Sequence, residues 1–231
     1  MKAYRFPFHG AELSALSNGA LWWPDRRLLV VSDLHLGKSD RLARNGGALL
    51  PPYENRDTLS RLADAITALS PLTVICLGDS FDDLAGQDAL AEEDHETLTR
   101  LMAGRRWIWI EGNHDPGPIT LGGSHLAIYA VGPITFRHIA VAGEKAEISG
   151  HYHPKAHVRT RARTVTRPAF LCDTDRIILP AYGTYTGGMP SHHPVFEALF
   201  PRPASAILTG RQAFSVVMPR SKTNPAASSS G

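Results

Sequence analysis

Four apolar, strand-like runs in this chain each close on a short polar cluster. LLVVSDLH ends in Asp33 and His35, VICLGD in Asp79, WIWIEGNHD in Asn113, His114 and Asp115, and EISGHYH in His151 and His153. Residues at the ends of separate strands converge only if those strands share a sheet, so the pattern fixes a sheet before it fixes any chemistry. Asp, Asn and His pooled in one place suit hard or borderline divalent metals. A single cluster of this kind is usually a turn or a cap. Together the clusters point to a metal site.

The chain has 231 residues, 43% of them hydrophobic, which is enough for one large domain with a substantial core. We place that domain over residues 1–220. The tail 221–231 (SKTNPAASSSG) is poor in apolar residues and reads as disordered. The formal net charge of +2 does not by itself argue for a nucleic acid partner. Cys76 and Cys172 each lie inside an apolar run and read as buried thiols, which suggests a reducing compartment. No apolar stretch approaches the roughly 20 residues of a membrane span, and MKAYRFPFHG has no signal-peptide core. The expectation is a cytoplasmic protein without a membrane partner.

Residues 20–32 read as a hairpin around Pro24-Asp25-Arg26, and residues 39–56 as an irregular loop. Leu59, Leu62, Ala63, Ile66 and Leu69 fall on one helical face, which predicts a helix over 57–69 with Asp57 as N-cap. A strand over 72–77, a helix from Asp88 to Met102 and a strand over 106–110 follow. Beyond residue 124 the chain turns to short strands at 126–131, 134–138, 146–149, 155–165, 168–172, 175–179 and 213–218. The order is β-α-β-α-β and then mostly β.

Asp33 and His35 alternate around Leu34, so an extended strand end would point both to one side. Asp79 follows Gly78, where a glycine lets backbone approach a crowded site, and its carboxylate is placed to bridge two ions. Asn113 adds a neutral amide oxygen. His151 and His153 flank Tyr152. One more histidine is wanted, and His138 is preferred over His125 because it ends the alternating run Ile134–His138 at a strand's carboxyl end.

The order D-x-H, G-D, G-N-H-D, a lone His and G-H-x-H resembles the calcineurin-like metallophosphoesterases over about Leu28–Pro154. That resemblance implies an α/β fold, a four-layer sandwich of two mixed β-sheets flanked by helices, with a dinuclear metal centre. It implies that Asp33, His35 and His153 hold one ion, that Asn113, His138 and His151 hold the other, and that Asp79 bridges them. Two cations about 3.5–4 Å apart activate a water that attacks phosphorus in line. His114, next to Asn113 but not a ligand, becomes the candidate general acid, with Asp115 expected to orient its imidazole. The donor set favours manganese, with zinc, iron and nickel also suited.

Lys155, His157, Arg159, Arg161 and Arg163 occupy alternate positions, so on a strand they would form one basic face suited to a polyanion. Arg41 and Arg44 are further candidates for phosphate contact. Asp82 and Asp83 read as caps of the next helix, or else as supports for the metal ligands. DLHLGK, GHYHP and LPAYGTYTGG together resemble the ligase-associated DNA-damage-response phosphoesterases. This narrower resemblance implies a DNA phosphodiesterase or endonuclease with DNA ligase, helicase and exonuclease partners. In Tyr182–Gly188, Tyr182 offers an aromatic face for a base. The alternative is a phosphatase or phosphodiesterase of small nucleotides or metabolites on the same centre.

Overall fold

Strands covered on both faces must be apolar at nearly every position, and the runs that end in the clusters have that character. A computed structural model of the chain describes residues 2–46, 53–83, 90–117, 120–159 and 164–219. Those runs form the centres of two mixed sheets.

The first sheet contains β1 (Ala3–Phe8), β2 (Ala11–Leu16), β3 (Leu21–Trp23), β4 (Leu28–Val31), β5 (Thr73–Leu77), β6 (Arg106–Ile110) and β7 (Ser124–Leu126), side by side in that order. β1 to β4 pair antiparallel, and β4 to β7 pair parallel. Parallel neighbours need crossovers. Helices α1 (Lys38–Arg44) and α2 (Glu54–Leu69) lie in the first, and α3 (Glu92–Met102) in the second.

The second sheet contains β8 (Ile128–Val131), β9 (Ile134–Arg137), β10 (Glu147–Ser149), β11 (Lys155–Arg159), β12 (Thr164–Cys172), β13 (Arg176–Ile178), β14 (Ser205–Leu208) and β15 (Phe214–Val217). Its order is β15-β14-β12-β13-β10-β9-β8, with β11 paired to β12. β10 runs parallel to both β9 and β13. Helix α4 (Pro194–Leu199) follows β13 in sequence.

Strand alternation divides the side chains among the layers. Ile75, Leu77, Ile108 and Ile110 join Phe136, Ile148, Phe170 and Ile177 between the sheets. Val74, Cys76, Trp107 and Trp109 point the other way, onto Leu59, Leu62, Ile66 and Leu98 of α2 and α3. Ala169, Leu171 and Leu208 pack on Phe196 and Leu199 of α4. The result is the expected four layers. Cys76 and Cys172 are buried free thiols, and burial pushes the Cys172 thiol up to about 12.

Several local expectations change, among them the strand expected over 155–165, whose two ends belong to the antiparallel neighbours β11 and β12. Residues 38–44 form α1 rather than loop, since Lys38–Arg44 contains neither Gly nor Pro and stops at Asn45-Gly46. Helix α2 begins at Glu54, so Asp57 lies inside its first turn, where a carboxylate favours the helix dipole, and is not the cap. Residues 126–131 are two strands in different sheets, because the chain crosses between sheets at Ala127. The β1–β2 hairpin, β14 and α4 have no counterpart among the predicted elements. Asp88, Arg161, Arg163 and the tail 221–231 lie outside the described residues. Among the described residues no helix is long and apolar enough to cross a membrane.

Candidate metal centre

The carboxyl ends of β4, β5, β6, β9 and β10 deliver every candidate ligand to one edge of the sandwich. Extended alternation does not aim them. Asp33, His35, Asp79, His151 and His153 all have left-handed backbone, with φ of 53°, 46°, 46°, 72° and 47°. Each such residue costs about 1–2 kcal/mol, and strain of this kind collects at functional sites. Asp33 and His35 therefore face the same centre through two kinks beyond β4. His151 and His153 separate, one to each half of the centre, while Tyr152 packs into the core.

Glycines make the approach possible. A Cβ at Gly78 would lie 2.4 Å from His138 Nδ1, and one at Gly150 would lie 1.8 Å from Ser32 Oγ and 2.7 Å from Asp33 Oδ2. Only glycine lets these turns press against the neighbouring cluster.

Two groups result, Asp33 with His35 and His153, and Asp79 with His138 and His151, with the ligand atoms of each group within 4.8 Å of one another. Asn113 Oδ1 joins the second group, 3.0 Å from His138 Nε2. In the first group His153 Nε2 lies 3.2 Å from Asp33 Oδ1 and 3.3 Å from His35 Nε2. In the second, His138 Nε2 lies 3.2 Å from His151 Nδ1 and 3.4 Å from Asp79 Oδ2.

The outer nitrogens set the tautomers. His35 Nδ1 donates to Asp82 at 2.7 Å, and His138 Nδ1 donates to the Leu77 carbonyl at 2.7 Å. In the neutral rings both Nε2 lone pairs then point inward, at other acceptors. Acceptors that converge in this way fit divalent cations and suit little else.

The charges agree. Burial alone would raise the Asp33 carboxyl, but His153, His138 and Ser32 outweigh it and hold it below its ordinary value. Burial of Asp79 is likewise outweighed, by His138, the His114 amide and His35. For Asp82, His35 and Arg41 overcome burial and hold the carboxyl at about 2. Burial would lower His138, but Asp79 and Asp33 raise it. Burial and the neighbouring His138 lower His151.

The structure changes several roles. His114 stands at the rim with Nε2 4.0 Å from Asp79 Oδ2, its ring edge-on to His35 at 5.4 Å. The group that orients it is the Asp82 carbonyl, which accepts from Nδ1 at 3.0 Å, and not Asp115. Asp115 is buried and its carboxylate accepts four backbone N–H groups, from Asp79 (2.9 Å), Gly112 (3.1 Å), Ser80 (2.7 Å) and Phe81 (3.2 Å). It ties the Asp79 loop to the Asn113 loop. Burial pushes its carboxyl up to about 6, with the amide donors pulling the other way.

Asp82 orients His35, and whether Asp82 and Asp83 also cap a helix falls on residues 84–89, which lie outside the described residues. Arg41 bonds the other oxygen of Asp82, and Arg44 pairs with Asp83 at 2.7 Å, so both arginines already serve carboxylates. The D-x-x-D spacing of Asp79 and Asp82 was the sequence signal for this support. The Leu77 and Asp82 carbonyls left no signal, because backbone groups carry no residue identity.

Tyr182 offers no face to a base. It is 1% exposed in the core, with Asn18 donating to its hydroxyl and Arg61 over its ring. Burial pushes its hydroxyl up, out of the ordinary range. The ring nearer the surface in that segment is Tyr185, 5.8 Å from Tyr53. Along β11, Ala156 and Val158 face the core while Lys155 and His157 face outward, as alternation requires. The side chain of Arg159, like Arg161 and Arg163, lies outside the described residues. His125 stacks on Trp109, away from both groups.

A family model described as calcineurin-like phosphoesterase matches residues 26–195. The crystal structure of Pseudomonas putida nuclease MPE superposes with a TM-score of 0.73 and 26% sequence identity, covering 93% of this chain and 100% of that one. No curated protein sequence matches significantly.

Proposed function

The chain belongs to the calcineurin-like phosphoesterase family and is a metal-dependent phosphoester hydrolase, and from that premise we propose that it is a DNA phosphodiesterase of nuclease type. The observation that carries the reading is the pair of adjacent ligand groups, joined where His138 Nδ1 lies 4.0 Å from Asp33 Oδ1, in a chain similar along almost its full length to a nuclease.

Asp33, His35 and His153 would hold one divalent ion and Asn113, His138 and His151 the other, with Asp79 the residue expected to serve both and manganese the expected metal. Two such ions supply an activated water and a clamp on the phosphoryl oxygens. His35 and His138 present their lone pairs inward because Asp82 and the Leu77 carbonyl fix their tautomers. The His151 amide donates to Asp33 at 3.0 Å and keeps that carboxylate turned toward His153. With Nδ1–H held by the Asp82 carbonyl, the doubly protonated His114 ring would give its Nε2 proton to the leaving oxygen and return to the neutral Nδ1–H tautomer, a contribution of about 10²–10⁴ in rate.

Lys155, Arg159 and Arg161 are the candidates for backbone contacts beyond the centre, and the narrower resemblance suggests DNA ligase, helicase and exonuclease partners in repair. One observation favours the second reading, hydrolysis of small nucleotides. Arg41 and Arg44 are ion-paired with Asp82 and Asp83, which weakens the case for a phosphate track on that side. The test compares bis(p-nitrophenyl) phosphate, p-nitrophenyl phosphate and a single-stranded oligonucleotide on manganese-loaded protein, with His114→Ala as control. Cleavage of the diester and the oligonucleotide, lost in the control, supports the proposal. Turnover of the monoester alone refutes it in favour of a phosphatase.

A further inference from the structure

Beside the centre, Asn113 and His138 form one wall of an open groove of about 360 Å³. Ala127, Ile128, Ile139 and Pro116 supply its apolar lining. Ile128 is 51% exposed and Ile139 44% exposed. Large aliphatic side chains are held in water here, directly against two candidate ligands, and exposed apolar surface in a concave site beside reactive groups marks a ligand.

The volume lies near the lower end of the roughly 300–1,000 Å³ usual for small-molecule sites, so it suits one nucleoside-sized group. The charges exclude a second phosphate. Glu111 would repel it, and Arg137 is already engaged by Glu147, its Nε 3.3 Å from a carboxylate oxygen. What remains favourable is a neutral, flat, mostly apolar group with polar edges.

We infer that this groove seats the nucleobase of the nucleotide whose phosphate lies at the metal centre, resting on the DNA reading above. Ile128, which begins β8 and pairs with Arg137 next to His138, is a specificity-determining residue.

Calorimetric titration of manganese-loaded protein with two non-hydrolysable probes tests this: a carbon-linked phosphonate analogue of thymidine 5′-monophosphate, and methylphosphonate. The wild type binds the nucleoside probe roughly tenfold more tightly, the scale of burying about 55 Å² of apolar surface against Ile128 and its neighbours. Ile128→Asp, an exposed and therefore foldable change, reduces that ratio to about twofold or less, and Ile128→Leu keeps it. Equal affinity for both probes in the wild type overturns the inference, as does a ratio that survives Ile128→Asp. Self-association of the wild type that Ile128→Asp abolishes, with the probe ratio unchanged, assigns the groove to a second copy and also overturns it. An intact ratio without oligonucleotide cleavage refutes the nuclease reading alone, and cleavage without a ratio refutes the groove alone.

Discussion

Asp115 adjoins the proposed proton donor, yet its carboxylate faces away from that imidazole and gathers four buried amides. Replacing it with Asn separates the two roles. One oxygen of Asp115 accepts from Asp79 and Gly112, and the other from Ser80 and Phe81. Asparagine keeps one oxygen and sets an NH₂ group against the remaining donors, so two bonds to a charged acceptor are lost. At about 1.5–3 kcal/mol for each bond to a charged group, with partial relaxation, the cost is about 3 kcal/mol. In a domain of this size that lowers the unfolding midpoint by about 6–12 °C. Thermal unfolding followed by circular dichroism, with and without manganese, measures it. Metal retention should fall as well, because the amides released, whether those of Asp79 and Gly112 or those of Ser80 and Phe81, belong to the turns that carry Asp79 and Asn113. An unchanged midpoint with turnover reduced as in His114→Ala would refute the reasoning and return Asp115 to the catalytic role.

His114→Ala should keep both metals, by elemental analysis, and lose about 10²–10⁴ in turnover; loss of metal would make His114 a ligand instead. Asp82→Asn removes the charged partner of His35 Nδ1 and should weaken metal affinity about 10–100-fold in calorimetric titration, with the fold retained. Asp33, Asp79 and Asp82 are all held below the ordinary carboxylate value, so the unfolded chain takes up protons first as the pH falls. Their contribution to stability is present above about pH 4 and is lost as the pH falls toward the lowered values, with Asp82 at about 2. Urea unfolding of metal-free protein at stepped pH should show that loss, less steeply in Asp82→Asn, and a flat profile from pH 5 to 2.5 would contradict it.

The centre was legible because metal chemistry restricts residue type, and the ends of apolar runs locate such residues on a sheet. His138 could be chosen over His125 by strand polarity alone. Strand alternation, however, gave the wrong reason for the aim of Asp33 and His35, since Asp and His are enriched in left-handed backbone but most of them do not adopt it, so residue type does not mark which ones will. Asp115 and Tyr182 were misread for a related reason. A carboxylate beside a catalytic histidine and a tyrosine among glycines look the same in sequence whether they face the cleft or the interior, and only packing decides. The β1–β2 hairpin did carry a period of two in Tyr4, Phe6 and Phe8, with Gly10 in the turn. By contrast, the split at Ala127 between the sheets depends on a tertiary crossing that periodicity cannot contain.

The most direct test is cleavage of a single-stranded oligonucleotide as manganese is titrated into metal-free protein. Cleavage should appear with the second equivalent per chain, and Asp79→Asn should bind both ions weakly and leave the strand intact. Full activity at one equivalent, or no cleavage at saturation with both ions bound, would contradict a two-metal DNA phosphodiesterase.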